Sequence, residues 1–241
     1  MNFKYLFFIL CTFVFVSCGN KKADDTTKKI KVACIGNSIT YGHGIDDREN
    51  NSYPAVLGKM LGDGYEVHNF GKSGRTLLNK GNRPYMKEKE YKEALKFEPD
   101  IVIIKLGTND SKGKNIIYKV EFEKDLKSMV KSFERLKSKP EIYLCYPAKV
   151  YGLRTSIDEP DNVINDSIIS NEIIPMIKNV AQKNNLKVID LYTATSNMPE
   201  NFPDLIHPNE NGAEAIAKEV YKSITGKEFV NTDIKEEQAL N

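Results

Sequence analysis

The sequence predicts an α/β fold: a five-stranded parallel sheet with helices on both faces. Three observations predict it. Five short apolar runs rich in β-branched residues recur along the chain. The segments between them carry helical spacing of apolar residues. The third run, 100–106 (DIVIIKL), is apolar almost throughout, as a strand covered on both faces must be. Parallel neighbours need crossover connections, and the intervening helices supply them.

The elements follow in order. Residues 29–35 (KIKVACI) form the first strand, ending at Gly36. A short helix over 52–61 starts with Ser52 as its cap and Pro54 in its first turn. The second strand is 65–70, and 85–97 is helical. After the third strand, 120–137 is the clearest helix. Its residues Phe122, Leu126, Met129, Val130, Phe133 and Leu136 fall on one stripe. The fourth strand is 141–146 (EIYLCY), followed by a helix over 162–184 that Pro175 interrupts or kinks. The fifth strand is 186–191, and a last helix over 213–224 stops before Gly226.

The ends of the chain read differently. Lys4 precedes an uncharged run of twelve apolar residues, 5–16, too short to span a membrane and suited to a signal peptide. Val16-Ser17-Cys18-Gly19 resembles a bacterial lipoprotein signal, which would be cut before Cys18 and leave that thiol lipid-modified. The expected organisation is a signal over 1–17, a polar tether over 18–28, one folded domain over 29–226 and a polar tail over 227–241. The expected product is an exported lipoprotein, periplasmic or at the cell surface, tethered to a membrane by a lipid on Cys18.

Composition excludes several classes. With 35 Lys+Arg against 33 Asp+Glu, the chain lacks the basic footprint of a nucleic-acid binder. Four Cys in 241 residues do not make a disulfide scaffold, and Cys34 and Cys145 sit inside strand runs as small buried hydrophobes. Of the three His, His68 lies in a strand, where a structural role is expected. His43 lies in a Gly-flanked loop, as a solvent-exposed or pocket-lining residue, and His207 lies in a late strand-end loop.

Ligands of an open parallel sheet bind beyond the carboxyl ends of the strands. Four segments rich in Gly, Ser, Asn, Asp and His meet at that edge: 36–40 (GNSIT), 69–76 (NFGKSGRT), 107–110 (GTND) and 204–208 (DLIHP). Acyl transfer needs a nucleophile, a base, a group orienting the base, and donors for an oxyanion. Ser38, His207 and Asp204 fill the first three roles, with the acid three residues before the base. The backbone N–H groups of Ser38 and Gly74 and the side-chain amide of Asn109 fill the fourth. No second His or Cys cluster accompanies Asp204 and His207, so neither a metal nor another cofactor is expected.

These blocks, in this order, resemble the SGNH (GDSL-type) hydrolase family, and the likeness extends over roughly residues 29–224. It implies a flavodoxin-like three-layer α/β/α sandwich and metal-independent ester hydrolysis by a Ser-His-Asp triad. Asn37 stands where the family's name-motif has Asp. The G-x-S-x-G elbow of ordinary α/β-hydrolases is absent, because Thr40 occupies the second glycine position. Taken singly, the blocks have plainer readings: residues 36–38 as a helix-capping turn, 107–110 as a mere loop, 109–111 as a glycosylation pattern.

The flanking segments 71–85 and 147–160 supply Arg75, Arg83, Arg154, Tyr85 and Tyr151, cationic and aromatic groups suited to sugars, with Arg able to grip a carboxylate. The alternative is that they are solvated loop residues. The run from Gly36 through Tyr53-Pro54 to Asp110-Ser111 resembles secreted carbohydrate acetylesterases, including sialate O-acetylesterase-like members. The expectation is an O-acetyl esterase acting on a sugar or polysaccharide. The alternatives are a lysophospholipase or thioesterase with the same triad and a non-catalytic glycan-binding lipoprotein.

Overall fold

The computed structural model describes residues 28–152 and 163–230. The signal, residues 18–27 of the tether with Cys18, Arg154 and the end of the tail therefore lie outside the described residues. Strands β1 (Ile30–Gly36), β2 (Tyr65–Gly71), β3 (Ile101–Lys105), β4 (Glu141–Tyr146) and β5 (Lys187–Asp190) form one sheet in the order β2-β1-β3-β4-β5, every pair parallel. That is the flavodoxin-like order, in which the crevice for a ligand opens where connections leave β1 and β3 in opposite directions.

The helices, in chain order, are α1 (Ser38–Tyr41), α2 (Arg48–Asn51), α3 (Tyr53–Leu61), α4 (Lys89–Lys96), α5 (Gly113–Ile116), α6 (Phe122–Glu134), α7 (Asp166–Ile168), α8 (Ile174–Lys183), α9 (Leu191–Ala194) and α10 (Glu210–Thr225). Strand alternation divides the core between two layers. Val102 and Ile104 of β3 join Tyr91, Leu126, Phe133 and Val180 of α4, α6 and α8 on one face. Ile101 and Ile103 join Tyr53, Leu57, Ile216 and Val220 of α3 and α10 on the other. This two-sided burial is why the third strand is apolar at consecutive positions.

The boundaries differ from expectation where tertiary contacts intervene. The helix expected over 120–137 begins at Phe122, after a 3₁₀ turn over Lys119–Glu121, and Val120 is left 86 % exposed. The helix expected over 85–97 is a 3₁₀ turn, Tyr85–Lys87, then α4, because Glu88 is extended. Ser52 bounds α3 without a side-chain cap bond. The helix expected from 162 starts at α7, capped by the Asn165 side chain, and widens to a π-turn over Ile169–Ile173 before Pro175 enters the first turn of α8. A proline has no N–H for the carbonyl four residues back, and a widened turn accommodates the missing bond.

Candidate active site

The turn that carries Ser38 is built by close packing. Asn37 caps α1, its Oδ1 accepting from the Ile39 N–H at 3.2 Å, so the plainer capping reading of 36–38 is also true. A Cβ on Gly36 would lie 2.0 Å from Thr40 Oγ1, and one on Gly71 would lie 2.2 Å from the Tyr41 nitrogen. Only glycines at these strand ends let α1 sit down on β1 and β2. The Asn69 amide donates to the Thr40 carbonyl at 2.7 Å and fixes the turn further.

Ser38 Oγ lies 2.8 Å from His207 Nε2, and His207 Nδ1 lies 2.7 Å from Asp204 Oδ2. Asp204 Oδ1 also accepts the backbone N–H groups of Ile206 and His207, at 3.1 and 2.7 Å, so one carboxylate shapes the loop and holds the imidazole. The loop turns at Leu205, whose φ of +67° is unusual for a non-glycine residue. Ile206 is buried with Val150, Ile164 and Ile169, and the Tyr151 N–H donates to the Leu205 carbonyl at 2.9 Å.

The other two segments close on each other. Asn109 Nδ2 donates to the Arg75 carbonyl at 3.1 Å, and an amide nitrogen carries a second hydrogen. Asp110 Oδ2 and Oδ1 accept the backbone N–H groups of Leu77 and Leu78, at 3.0 and 2.8 Å. Gly74 sits between these anchors and β2 with φ +79°, a conformation that favours glycine.

Burial sets the protonation states. It pushes the His207 imidazole down, against the raising effect of the Asp204 hydrogen bond, and nearby His43 and Lys105 push it further down. The net position is below 6.5, so the ring is neutral and basic at neutral pH. Burial works to raise Asp204, but its bonds from the His207 ring and backbone outweigh this and leave the carboxylate acidic. Asp110, wholly buried, is pushed up to about 6 despite the N–H groups it accepts. Lys105, equally buried, is brought down to about 7.

The flanking residues divide. Arg83 is exposed, with Nη1 3.4 Å from where a Cβ on Gly74 would lie. Arg75 is tied down, its Nε on Glu88 Oε1 at 2.9 Å and an Nη on the Ser73 carbonyl at 2.7 Å. Tyr85, expected at the binding surface, is instead fully buried and donates its hydroxyl to the Phe70 carbonyl at 2.6 Å, so it is core rather than a sugar platform. Tyr151 likewise props the loop of Asp204 and His207, donating its hydroxyl to the Thr195 carbonyl and packing on Phe202. His43 is exposed and meets the His207 ring edge-on at 4.5 Å. His68 points outward from β2, beside Glu66 and stacked on Phe97. Cys34 and Cys145 are buried free thiols.

Two functional features carry no local signal in the sequence. Lys105 lies within an apolar strand run, and the residues around Asp110 give its carboxylate no role of its own. Among the described residues, no group of three His, Cys, Asp or Glu is arranged to hold a metal.

A doubly wound sheet with a hydrogen-bonded Ser, His and Asp at its carboxyl edge has the layout of a serine acyl hydrolase. The chain belongs to the GDSL-like lipase/acylhydrolase family, whose model matches residues 34–215. It is 45 % identical over 213 residues to an acetylxylan esterase from Xylanibacter ruminicola, across 81 % of this chain and 43 % of that protein. The chain thus spans less than half the length of that relative. A carbohydrate acetylesterase from Sinorhizobium meliloti superposes with a TM-score of 0.68 at 19 % identity, over 82 % of this chain and 99 % of the other. An acetyl xylan esterase superposes at 0.63 and 23 % identity, over 81 % and 100 % of the two chains. At these identities the structures speak for the fold.

Proposed function

We propose that the chain is a serine esterase that removes O-acetyl groups from a sugar or polysaccharide outside the cytoplasm. The observation that carries the reading is the continuous hydrogen-bonded line from Ser38 Oγ through His207 to Asp204. The 45 % identical acetylxylan esterase supports the substrate class. Ser38 Oγ attacks the acetyl carbonyl carbon while His207 Nε2 takes its proton. The oxyanion formed is held by the N–H groups of Ser38 and Gly74 and the free hydrogen of Asn109 Nδ2. Collapse breaks the bond to the sugar oxygen, which leaves with the proton from His207. Water, deprotonated by the same imidazole, attacks the acetyl-enzyme; acetate departs and Ser38 regains its proton. Asp204 keeps Nδ1 protonated throughout, so Nε2 always faces the serine.

Substrate discrimination falls to few groups. Lys72, Arg75 and Lys80 are paired with Glu90, Glu88 and Glu121, whereas Arg83 has no carboxylate partner among the described residues. Arg83 is therefore the cation offered to an acidic substituent of the glycan. Arg154 remains a candidate for the same purpose.

Acetate release from acetylated xylo-oligosaccharides, alongside a chain-length series of nitrophenyl esters, tests the reading. It predicts a maximum at acetate and loss of turnover in Ser38→Ala. A maximum at long acyl chains would make the chain a lysophospholipase or thioesterase, and absence of turnover would leave a glycan-binding lipoprotein. The lipid anchor and export are tested by labelled fatty-acid incorporation, which Cys18→Ala should abolish.

A further inference from the structure

Lys105 closes β3 and is fully buried. Its register partner is Gly36, two residues before Ser38. Alternation along β3 turns its side chain toward the α3 and α10 layer, where Cys145 faces it and Cys34 and Tyr53 lie beyond. A buried ammonium is ordinarily matched by a carboxylate. Among the described residues Lys105 has none, and its Nζ donates instead to Asn37 Oδ1 at 3.3 Å. That oxygen also accepts the Ile39 N–H, whereas Asn37 Nδ2 is buried without a partner. The Asn37 side chain is thus oriented by what its oxygen must accept, with its own donor left unsatisfied. The other four positions of β3 are Ile or Val, so volume alone does not call for a lysine.

We propose that Lys105 is a positioning residue for Ser38 and His207: through Asn37 it fixes the first turn of α1, and its positive charge opposes a second positive charge on His207, keeping the imidazole in its base form to lower pH. The inference rests on Ser38 and His207 being nucleophile and base. The groups in contact with His207 are Asp204 from its own loop, Ser38 from α1 and His43 from the turn after α1; Lys105 of β3 reaches it through Asn37 and by its charge, without contact. Those facing Lys105 are Asn37 and Cys145. Burial pushes the Cys145 thiol up to about 12 and Cys34 well above its ordinary value, so neither contributes a charge. Lys105 titrates near 7 and is cationic through the acidic range in which His207 gains its proton.

The test is the acid limb of kcat/KM on nitrophenyl acetate, with the His207 imidazole titration followed in parallel by NMR. Lys105→Met keeps the unbranched side chain to within one atom of its length and removes its charge. Asn37→Asp keeps the lysine and the cap but sets a carboxylate against the ammonium. Either change removes net positive charge near His207, so its pKa rises and the limb moves to higher pH. The expected movement is about half a unit or more, roughly a 3-fold loss of kcat/KM at a fixed pH on the limb. A merely structural lysine would lower kcat and leave the limb and the NMR titration in place. A folded Lys105→Met with both unmoved overturns the proposal; if that variant has no cooperative melt, an unmoved Asn37→Asp overturns it. Should the wild type lack ester turnover, the nucleophile reading fails, while the NMR titration still decides whether Lys105 acts on His207.

Discussion

Asn109 hands one amide hydrogen to the carbonyl of Arg75, the residue after Gly74, across 3.1 Å. The turn after β3 is thereby tied to the turn after β2, and Asp110 repeats the tie by accepting from Leu77 and Leu78. Two of the three proposed oxyanion donors are consequently set by one another.

Asn109→Ala removes a donor and the tie together. The expected loss in kcat on nitrophenyl acetate is about 10²- to 10³-fold, with KM little changed. Gly74→Ala forces an L side chain into φ +79°. It is expected to lower stability by about 1–2 kcal/mol and to reduce kcat by displacing the Gly74 N–H. Thermal melts and steady-state kinetics on the two variants separate the contributions.

Asp204→Asn leaves a hydrogen-bonding group beside His207 but ceases to enforce the tautomer with Nε2 bare. Its kcat is expected to fall about 10⁴-fold. Ser38→Ala and the double variant Ser38→Ala/His207→Ala should be equally inactive, since the residues act as one unit. Additive losses in single-turnover acetate release would rule out a shared proton transfer.

The pH dependence follows from the neutral imidazole. Protonation of His207 removes the base, and its pKa is held below the ordinary 6.5. Activity should therefore persist below pH 6.5 and then fall tenfold per unit on a single ionisation. A limb above that value in a kcat/KM profile would contradict the burial-driven shift.

Arg83→Gln should leave nitrophenyl acetate hydrolysis untouched, because that ester has no carboxylate to grip. On acetylated oligosaccharides bearing a uronic acid, KM should rise about tenfold, the scale of one charge-assisted hydrogen bond. Equal KM changes on neutral and acidic oligosaccharides would exclude the charge-recognition role.

Tyr85→Phe separates core from binding surface. It deprives the buried Phe70 carbonyl of its 2.6 Å hydrogen bond, so stability should drop by about 1–3 kcal/mol while KM for every ester stays constant. A raised KM with an unchanged melt would restore Tyr85 to the binding surface.

Much of the site was legible because its logic is local. Ser38 follows a glycine at a strand end, Gly74 lies in a turn, and Asp204 stands three residues from His207, so each declares itself within a short window. The sheet was equally plain, since two-sided burial leaves an unbroken apolar run. What stayed hidden depends on distant partners. Nothing near Tyr85 tells that its hydroxyl meets Phe70, nor near Arg75 that Glu88 holds it. Asp110 reaches Leu77 and Leu78 across more than thirty residues of chain. Nothing in the apolar run around Lys105 marks it out; only the sheet order and a bond across 68 positions set it against Asn37.

The chain separation within the triad has a consequence for how activity is lost. Asp204 and His207 share one four-residue loop, whereas Ser38 is 169 positions from His207. Heat, denaturant or a mutation under Ile206 can lift that loop without parting acid from base; what fails first is the contact between His207 and Ser38. Under the proposed mechanism the seam between His207 and Ser38 is where activity is lost, and inactivation is expected to precede unfolding of the sheet. An esterase assay read beside far-ultraviolet circular dichroism on the same heating ramp would reveal that gap.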